Sequence, residues 1–434
     1  KRQGLSLALP ALARAGQSTK DNPAASANAI IYVAKTGDGS DGSSWAQAYT
    51  ELQDALAAAE SSDQIWVATG VYYPDQGSGQ SNDDRASTFT LKSGVEIYGG
   101  FDPASGADLF EERDWQTFST VLSGDIGEDD TTDSNGVVTD PDDIKGDNAY
   151  HVVTSSSVDS SAVLDGFYIT AGQTNWLEFG LPCGPECGSG MFNRLSSPIL
   201  NNVTFSGNEA GSGGGMYNSS SNPALTDVTF SNTSAIQGGG IFNYDSNPVL
   251  TNVTFTGNTA NDDGGGMFNR LSSPILNDVT FTGNTASDDG GGIYTDNEFL
   301  LIRDGPMLQY IFFIRNTASD DGGGMYNHFV DNLILLNANF HNNEAGQFGG
   351  GLANDESTPT LISVDFVNNH AGNAGGGLFN RRSDALLTNV YFTANSAISG
   401  GGINNYFSDP SLVNVTLAVN RASSTGGGVH NFHY

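Results

Sequence analysis

Residues 264–289 read GGGMFNRLSSPILNDVTFTGNTASDD, and residues 290–295 begin the phrase again as GGGIYT. Gly-x-Gly or Gly-Gly-Gly blocks start at Gly188, Gly213, Gly238, Gly264, Gly290, Gly322, Gly349, Gly375, Gly400 and Gly426, at spacings of 25, 25, 26, 26, 32, 27, 26, 25 and 26 residues. A near-constant period in this range marks a solenoid or an array, whose units bury their apolar residues against one another. Within the unit, Leu276, Val279 and Phe281 lie in short β-rich stretches bounded by turn residues, with Val279 and Phe281 in strict alternation. No window carries the sustained helical period of helix-built repeats. The pattern specifies an all-β chain, a parallel β-helix with coils about 4.8 Å apart.

Equivalent side chains then stack into ladders. One is Asn208, Asn258, Asn284, Asn316, Asn343, Asn369, Asn395 and Asn420, interrupted by Thr233. Asparagine tolerates left-handed backbone angles, and its amide can bond to the turn and to the Asn one coil away. A second is Phe205, Phe230, Phe255, Phe281, Phe313, Phe340, Phe366 and Phe392, ending at Leu417. A third, just after the glycines, is Phe192, Tyr217, Phe242, Phe268, Tyr294, Tyr326 and Phe379. The glycines themselves suit a tight corner or a close backbone approach that a Cβ would block.

Composition narrows the partners. The 434 residues carry 49 Asp and Glu against 16 Lys and Arg, a net charge of −33. Nucleic acid and anionic membranes need a clustered basic face, and this chain offers none. Beyond Lys145 there is no lysine, so no Lys-dependent chemistry resides there. No stretch approaches the ~18 apolar residues of a membrane span.

The repeat, with Phe281-Thr282-Gly283-Asn284 and Gly290-Gly291-Gly292-Ile293, resembles the repeats of the chlamydial polymorphic outer-membrane proteins, which more often read Gly-Gly-Ala. The N-terminal part resembles bacterial extracellular right-handed β-helix proteins of the pectate-lyase-like superfamily. The matching stretches are Ile31-Tyr32-Val33, Gly42-Ser43-Ser44-Trp45, Leu52-Gln53-Asp54-Ala55-Leu56, Ile65-Trp66-Val67-Ala68, Tyr98-Gly99-Gly100-Phe101 and Leu122-Ser123-Gly124-Asp125. The resemblance implies a right-handed coil and an extracellular or cell-surface setting. It leaves activity open, since the superfamily holds lyases, hydrolases, adhesins and structural rods.

Three segments are expected. Residues 1–29 form a leader or an N-terminal assembly segment, with Lys1-Arg2, an apolar run from Leu5 to Ala13 and a small-x-small site at Ala13-Arg14-Ala15. Residues 30–175 form a cap and irregular coils, and residues 176–434 the regular coils of about 26 residues. Ser43 and Ser44 followed by Trp45, Tyr49, Leu52 and Leu56 at spacings of three and four predict a short amphipathic capping helix over the first coil. Residues 126–147 are an acidic insertion that reads as a charged loop or as a calcium candidate, with Asp129, Asp130, Asp133, Asp140, Asp142 and Asp143. The last coil has no such cap, an edge open to a further coil, an anchor or another subunit.

Several constellations invite chemistry. Asp262-Asp263, Asp288-Asp289 and Asp320-Asp321 precede the glycines of consecutive coils. Stacked, they are either a solvated acidic stripe or a site for a hard cation such as Ca²⁺. Cys183-Gly-Pro-Glu-Cys187 closes a small disulfide loop in an oxidising compartment, and is a poor zinc site. Pectate lyases place a basic residue beside calcium-binding acids, and Arg194, Arg270, Arg381 and Arg382 all follow the aromatic-Asn corner on what would be one face. Polygalacturonases carry a Gly-His-Gly, absent here. His151, His328, His341, His370, His430 and His433 fall at unmatched repeat positions and read as surface or packing residues. The function expected is an exported structural or adhesive cell-surface rod, able to self-associate head to tail into a filament. The alternative is a calcium-dependent β-helix that binds or cleaves a uronate-containing polysaccharide in a lateral groove.

Overall fold

The structure, a computed structural model, describes residues 29–174, 187–298 and 305–433. In the coil that begins at Gly264, a strand Met267–Arg270 leads through a turn to Ile275–Thr282, and the two-residue strand Thr285–Ala286 precedes the next glycines. Each strand pairs in parallel with its equivalents one coil before and one after, so the described strands form three sheets of 20, 12 and nine strands. The strand Ile275–Thr282 belongs to the first, Met267–Arg270 to the second and Thr285–Ala286 to the third. Like meets like in register: Leu276 lies between Leu250 and Leu308, Phe281 between Phe255 and Phe313, Asn269 beside Asn243. Parallel strands joined by crossovers take the right-handed sense, and the chain is a right-handed parallel β-helix.

Alternation decides what goes inside. Met267, Leu276, Val279 and Phe281 are buried in one continuous core that runs the length of the rod. The phenylalanine ladder from Phe205 to Phe392 stacks with ring centroids 4.5 to 5.2 Å apart, the spacing of the coils themselves.

The asparagine ladder is equally internal. From Asn258 to Asn395 each amide nitrogen donates to the amide oxygen of the next ladder Asn at 2.9 to 3.0 Å, and Thr233 joins through its hydroxyl, 2.7 Å from Asn258 Oδ1. A second asparagine ladder, which the sequence reading did not single out, runs inside the second sheet. Asn193, Asn218, Asn243 and Asn269 are linked at 2.8 to 2.9 Å, and Asn327, Asn354, Asn380, Asn405 and Asn431 at 2.8 to 3.0 Å. Thr295 stands between the two runs.

The corners correct one expectation. In most of the regular coils four residues take left-handed angles, as at Gly264 (φ 70°), Leu271 (φ 55°), Asp278 (φ 57°) and Gly283 (φ 63°). The ladder asparagines are not among them. The left-handed residue is the one before each ladder position, as with Asn342, Asn368 and Ala394, and it is this bend that turns the following amide inward. The remaining glycines serve close approach, since a Cβ on Gly265 would lie 2.5 Å from the carbonyl oxygens of Gly291 and Thr285. Ala394, exposed at φ 57°, bears a left-handed cost of roughly 1–2 kcal/mol, against which glycine loses about 0.5–1 kcal/mol of chain entropy. Ala394→Gly is expected to stabilise the fold by about 0.5–1 kcal/mol, read as a higher urea midpoint.

At the N-terminal end the single helix expected from Trp45 onward is two pieces. Ser44 caps a 3-10 turn, Trp45–Gln47, and the α-helix is Leu52–Ala58. Between them Tyr49 bridges to Val33 in the β-helix manner, and that pairing overrides the local helical period. Leu52, Ala55 and Leu56 still join the core beside Ile31 and Val33, so the capping role is kept. Lys92 Nζ donates to the carbonyl oxygen of Leu56 in the helix's last turn.

Residues 1–28 of the leader segment, the expected boundary at 175–176 and Cys183 lie outside the described residues. Cys187 is disulfide-bonded. No helix among the described residues is long and apolar enough to cross a membrane.

Candidate functional site

In each four-residue strand of the second sheet two side chains point inward and two outward. In Met267–Arg270, Met267 and Asn269 are inward, which leaves Phe268 and Arg270 on the outer face. Two outer columns result.

The first is aromatic. Phe192, Tyr217, Phe242, Phe268, Tyr294 and Tyr326 stack at 4.7 to 5.7 Å, and His151 extends the stack at 5.2 Å from Phe192. Where the column reaches Ala353, Phe348 from the adjoining turn supplies the ring and stacks on Phe379 at 4.5 Å.

The second column places Arg194, Ser219, Tyr244, Arg270, Asp296, His328, Asp355, Arg381, Tyr406 and Phe432 side by side, one per coil. Arg194, Arg270 and Arg381 therefore share one face as expected. Arg382 is the next residue, at a left-handed corner, 3.0 Å from Glu356. His328 corrects the reading of the histidines, because it occupies a matched position in this column. The outer face is not constrained by the core, so residue type varies there and hides the register from a search for repeated letters.

The middle of this column is a chain of charges. His328 Nδ1 lies 3.4 Å from Asp296 Oδ1, His328 Nε2 lies 4.0 Å from Asp355 Oδ2, and Arg381 is paired with that same Asp355 oxygen. The hydrogen bond that the His328 imidazole donates to Asp296 holds it above its ordinary pKa against the effect of burial. Burial works against ionisation of Asp296, but the His328 hydrogen bond and the Glu298 amide bring it below its ordinary value. Arg381 is held above its usual value, chiefly by its hydrogen bond to Asp355. Asp355 Oδ1 and Arg381 Nε are buried with no hydrogen-bond partner among the described residues, so each retains capacity for a further polar group.

The acid pairs border the other side of the aromatic column. Asp289 N–H donates to Asp263 Oδ1 at 3.1 Å, Asp321 N–H to Asp289 Oδ1 at 2.8 Å, and Phe348 N–H to Asp321 Oδ1 at 3.0 Å. The six carboxylates thus climb in register, and ligand oxygens of Asp262, Asp263 and Asp288, and of Asp288, Asp289 and Asp320, lie within 4.8 Å of one another. Burial, with the neighbouring carboxylates, pushes Asp263 up to about 8, Asp289 to about 7 and Asp321 to about 8. Tyr294 and Tyr326 lie between the two bands, their phenols held protonated by burial and by acids from both sides, Asp263 and Asp296 for Tyr294, Asp289 and Asp355 for Tyr326.

The arrangement is a strip with the acid pairs and phenols along one band and the Asp–His–Asp–Arg chain along the other. It supplies hydrogen-bond donors, acceptors and groups able to exchange protons near neutrality, the mixture that polar ligands and acid-base chemistry require. The carboxylates would suit a hard cation by ligand type.

The raised carboxyls dictate a pH response. The native state binds protons that the unfolded chain has released, so stability falls as pH rises from the ordinary aspartate range through about 7 to 8. His328 acts in the same direction, since its contribution is lost as pH rises through its elevated value. In chelator, the melting temperature is expected to decline between about pH 5 and 9, and Asp289→Asn to flatten that decline. A melting temperature that rises over this range would contradict the assignment.

Comparison with known proteins follows the fold. The Chlamydia polymorphic membrane protein (Chlamydia_PMP) repeat matches residues 278–296, which hold Phe281, Asn284 and Gly290 to Ile293. No curated protein matches the sequence. Among solved structures, the mannuronan C-5 epimerase AlgE6 A-module of Azotobacter vinelandii is similar at 11% identity over 88% of this chain and 93% of that one, with a TM-score of 0.37. The catalytic unit of a GH87 α-1,3-glucanase from Streptomyces thermodiastaticus is similar at 14% identity over 94% of this chain and 71% of that one, with a TM-score of 0.39. Pectate lyase Pel9A is similar at 12% identity, over 90% and 78%, with a TM-score of 0.29. At these identities the likeness is one of fold.

Proposed function

We propose that the protein is an extracellular β-helix that binds a polysaccharide along the outer face of its second sheet, with Asp296, His328, Asp355 and Arg381 as the centre of the binding strip. The observation that carries this reading is the break in the repeat. Inward positions keep nearly the same residue from coil to coil, whereas this outward column sets Arg270, Asp296, His328, Asp355 and Arg381 side by side in five successive coils and joins the last four in a chain of charge pairs. A purely structural or adhesive rod accounts for the ladders but not for Asp355 Oδ1 and Arg381 Nε, buried in that chain without a partner among the described residues.

A polysaccharide suits the strip because both are long, and because alternating donors and acceptors at coil spacing can meet successive hydroxyls. Arg381 and His328 favour an acidic sugar in an otherwise negative molecule. Calcium on Asp262, Asp263, Asp288, Asp289, Asp320 and Asp321 would compete with the protons held there and could bridge to a uronate carboxylate.

The test is affinity electrophoresis of the chain in gels containing neutral or uronate polysaccharides, with calcium and with chelator, alongside assays for reducing ends and unsaturated products. Retardation by an acidic polymer supports binding, and product formation would extend it to cleavage. Unchanged mobility with every polymer, and no product, would overturn the proposal.

A further inference from the structure

The acidic insertion lies apart from the lateral strip and makes its own site. It leaves the core after the strand Thr120–Ser123 and returns at Asn148. Its middle is docked on the coils: Val138 N–H donates to Thr170 Oγ1 at 3.0 Å, its carbonyl accepts from Ser206 Oγ at 3.0 Å, and Asn232 Nδ2 donates to the Thr139 carbonyl at 3.0 Å. At its root, carboxylate oxygens of Asp125, Asp129 and Asp130 converge within 4.8 Å of one another. Asp125 is itself nearly buried, at 4% exposure.

An acidic cluster alone is commonplace on such a chain. Asn148 adds an independent observation. Its side chain is fully buried, its Nδ2 donates to Asp130 Oδ2 at 2.7 Å and to the Ala171 carbonyl at 2.8 Å, and its Oδ1 has no partner among the described residues. The amide cannot be turned over to mend this, because its oxygen would then face two acceptors, a carboxylate and a carbonyl. The orphaned oxygen shares a carbon with the nitrogen bonded to Asp130, which keeps it close to that carboxylate. A buried amide oxygen without a donor is costly, and a cation is a partner it can accept without one.

We propose that Asp125, Asp129, Asp130 and the side-chain oxygen of Asn148 bind a calcium ion that fastens the 126–147 insertion to the coil stack. Three carboxylates and an amide carbonyl are the hard oxygen donors that Ca²⁺ takes in sets of about six to eight, backbone carbonyls and water completing the shell. Mg²⁺, which demands near-octahedral geometry and keeps its waters, fits a mixed and partly buried set less well.

Isothermal titration of the chelator-treated chain with CaCl₂ tests the assignment, using Asp129→Asn/Asp130→Asn and, as a comparison, Asp263→Asn/Asp289→Asn in the stacked acid column. The expected result is a saturable calcium site weakened at least tenfold in the first variant and retained in the second, with Mg²⁺ at least tenfold weaker. Absence of calcium binding, or undiminished binding in the first variant, would overturn the proposal.

A second measurement needs no variant. Lysine occurs at only five positions, so cleavage by a lysyl endoproteinase after the exposed Lys145 gives a distinctive fragment pair. Calcium is expected to slow that cut at least tenfold relative to chelator while leaving cleavage after Lys35 unchanged. Equal rates at Lys145 with and without calcium would refute the fastening role.

Discussion

Asn316→Ala is expected to destabilise the protein by about 3–5 kcal/mol, although it removes a small side chain and touches no ligand. Asn316 Nδ2 donates to the Phe281 carbonyl at 2.9 Å and to Asn343 Oδ1 at 3.0 Å, and its Oδ1 accepts both the backbone and side-chain N–H groups of Asn284 at 3.0 Å. Truncation removes four hydrogen bonds in a fully buried place and leaves the Asn284 N–H without an acceptor. A net bond contributes roughly 0.5–1.5 kcal/mol and a buried orphan costs about 1–3 kcal/mol. Urea unfolding followed by the β-sheet signal measures the effect, with exposed Ser287→Ala as the control expected within about 0.5 kcal/mol of the parent. A shift no larger than the control's would mean that the ladder is a passenger of the phenylalanine stack.

His328→Gln is expected to reduce affinity for the polymer, or turnover of it, by about a hundredfold, while the urea midpoint falls only by the small amount its partly exposed ion pairs contribute. Glutamine can still offer a hydrogen bond but neither carries charge nor exchanges a proton. The half-exposed imidazole bridges Asp296 and Asp355, so its loss leaves two carboxylates on one strip with nothing between them. Because Asp296 raises the His328 pKa, binding by the parent should persist above the ordinary histidine range and fail as pH rises through the elevated value. Full affinity in the variant would move the binding face elsewhere and leave the second-sheet column a structural curiosity.

The solenoid, its period and two of its ladders were legible in the sequence because the interior of a parallel coil repeats its demands. Position 281 and its equivalents must each fill the same space, so Phe recurs there and the eye finds it. The second asparagine ladder escaped because it sits among the varied residues of the aromatic-Asn corner and is broken by Thr295, so its continuity depends on register. The capping helix was misjudged where a long-range bridge at Tyr49 outweighed a local period. The site was hardest, since its residues share a location and not a type. Asp296 and Asp355 have no repeated pattern to announce them, and His328 shares no residue type with the neighbours it stands beside. Searching the outward column for departures from the repeat, once the inward ladders had fixed the register, would have found all three.

The ladders have a mechanical consequence. Their hydrogen bonds lie along the rod axis, so tension applied between the two ends would load them in series, and the weakest interface would yield before the others felt more. A released coil of 26 residues extends to about 85–90 Å at ~3.3–3.4 Å per residue and gives up only ~4.8 Å of rod. Each rupture would thus lengthen the chain by roughly 80 Å, and the molecule would meet a pull as a succession of discrete steps, shedding load one coil at a time while the remaining coils stayed wound.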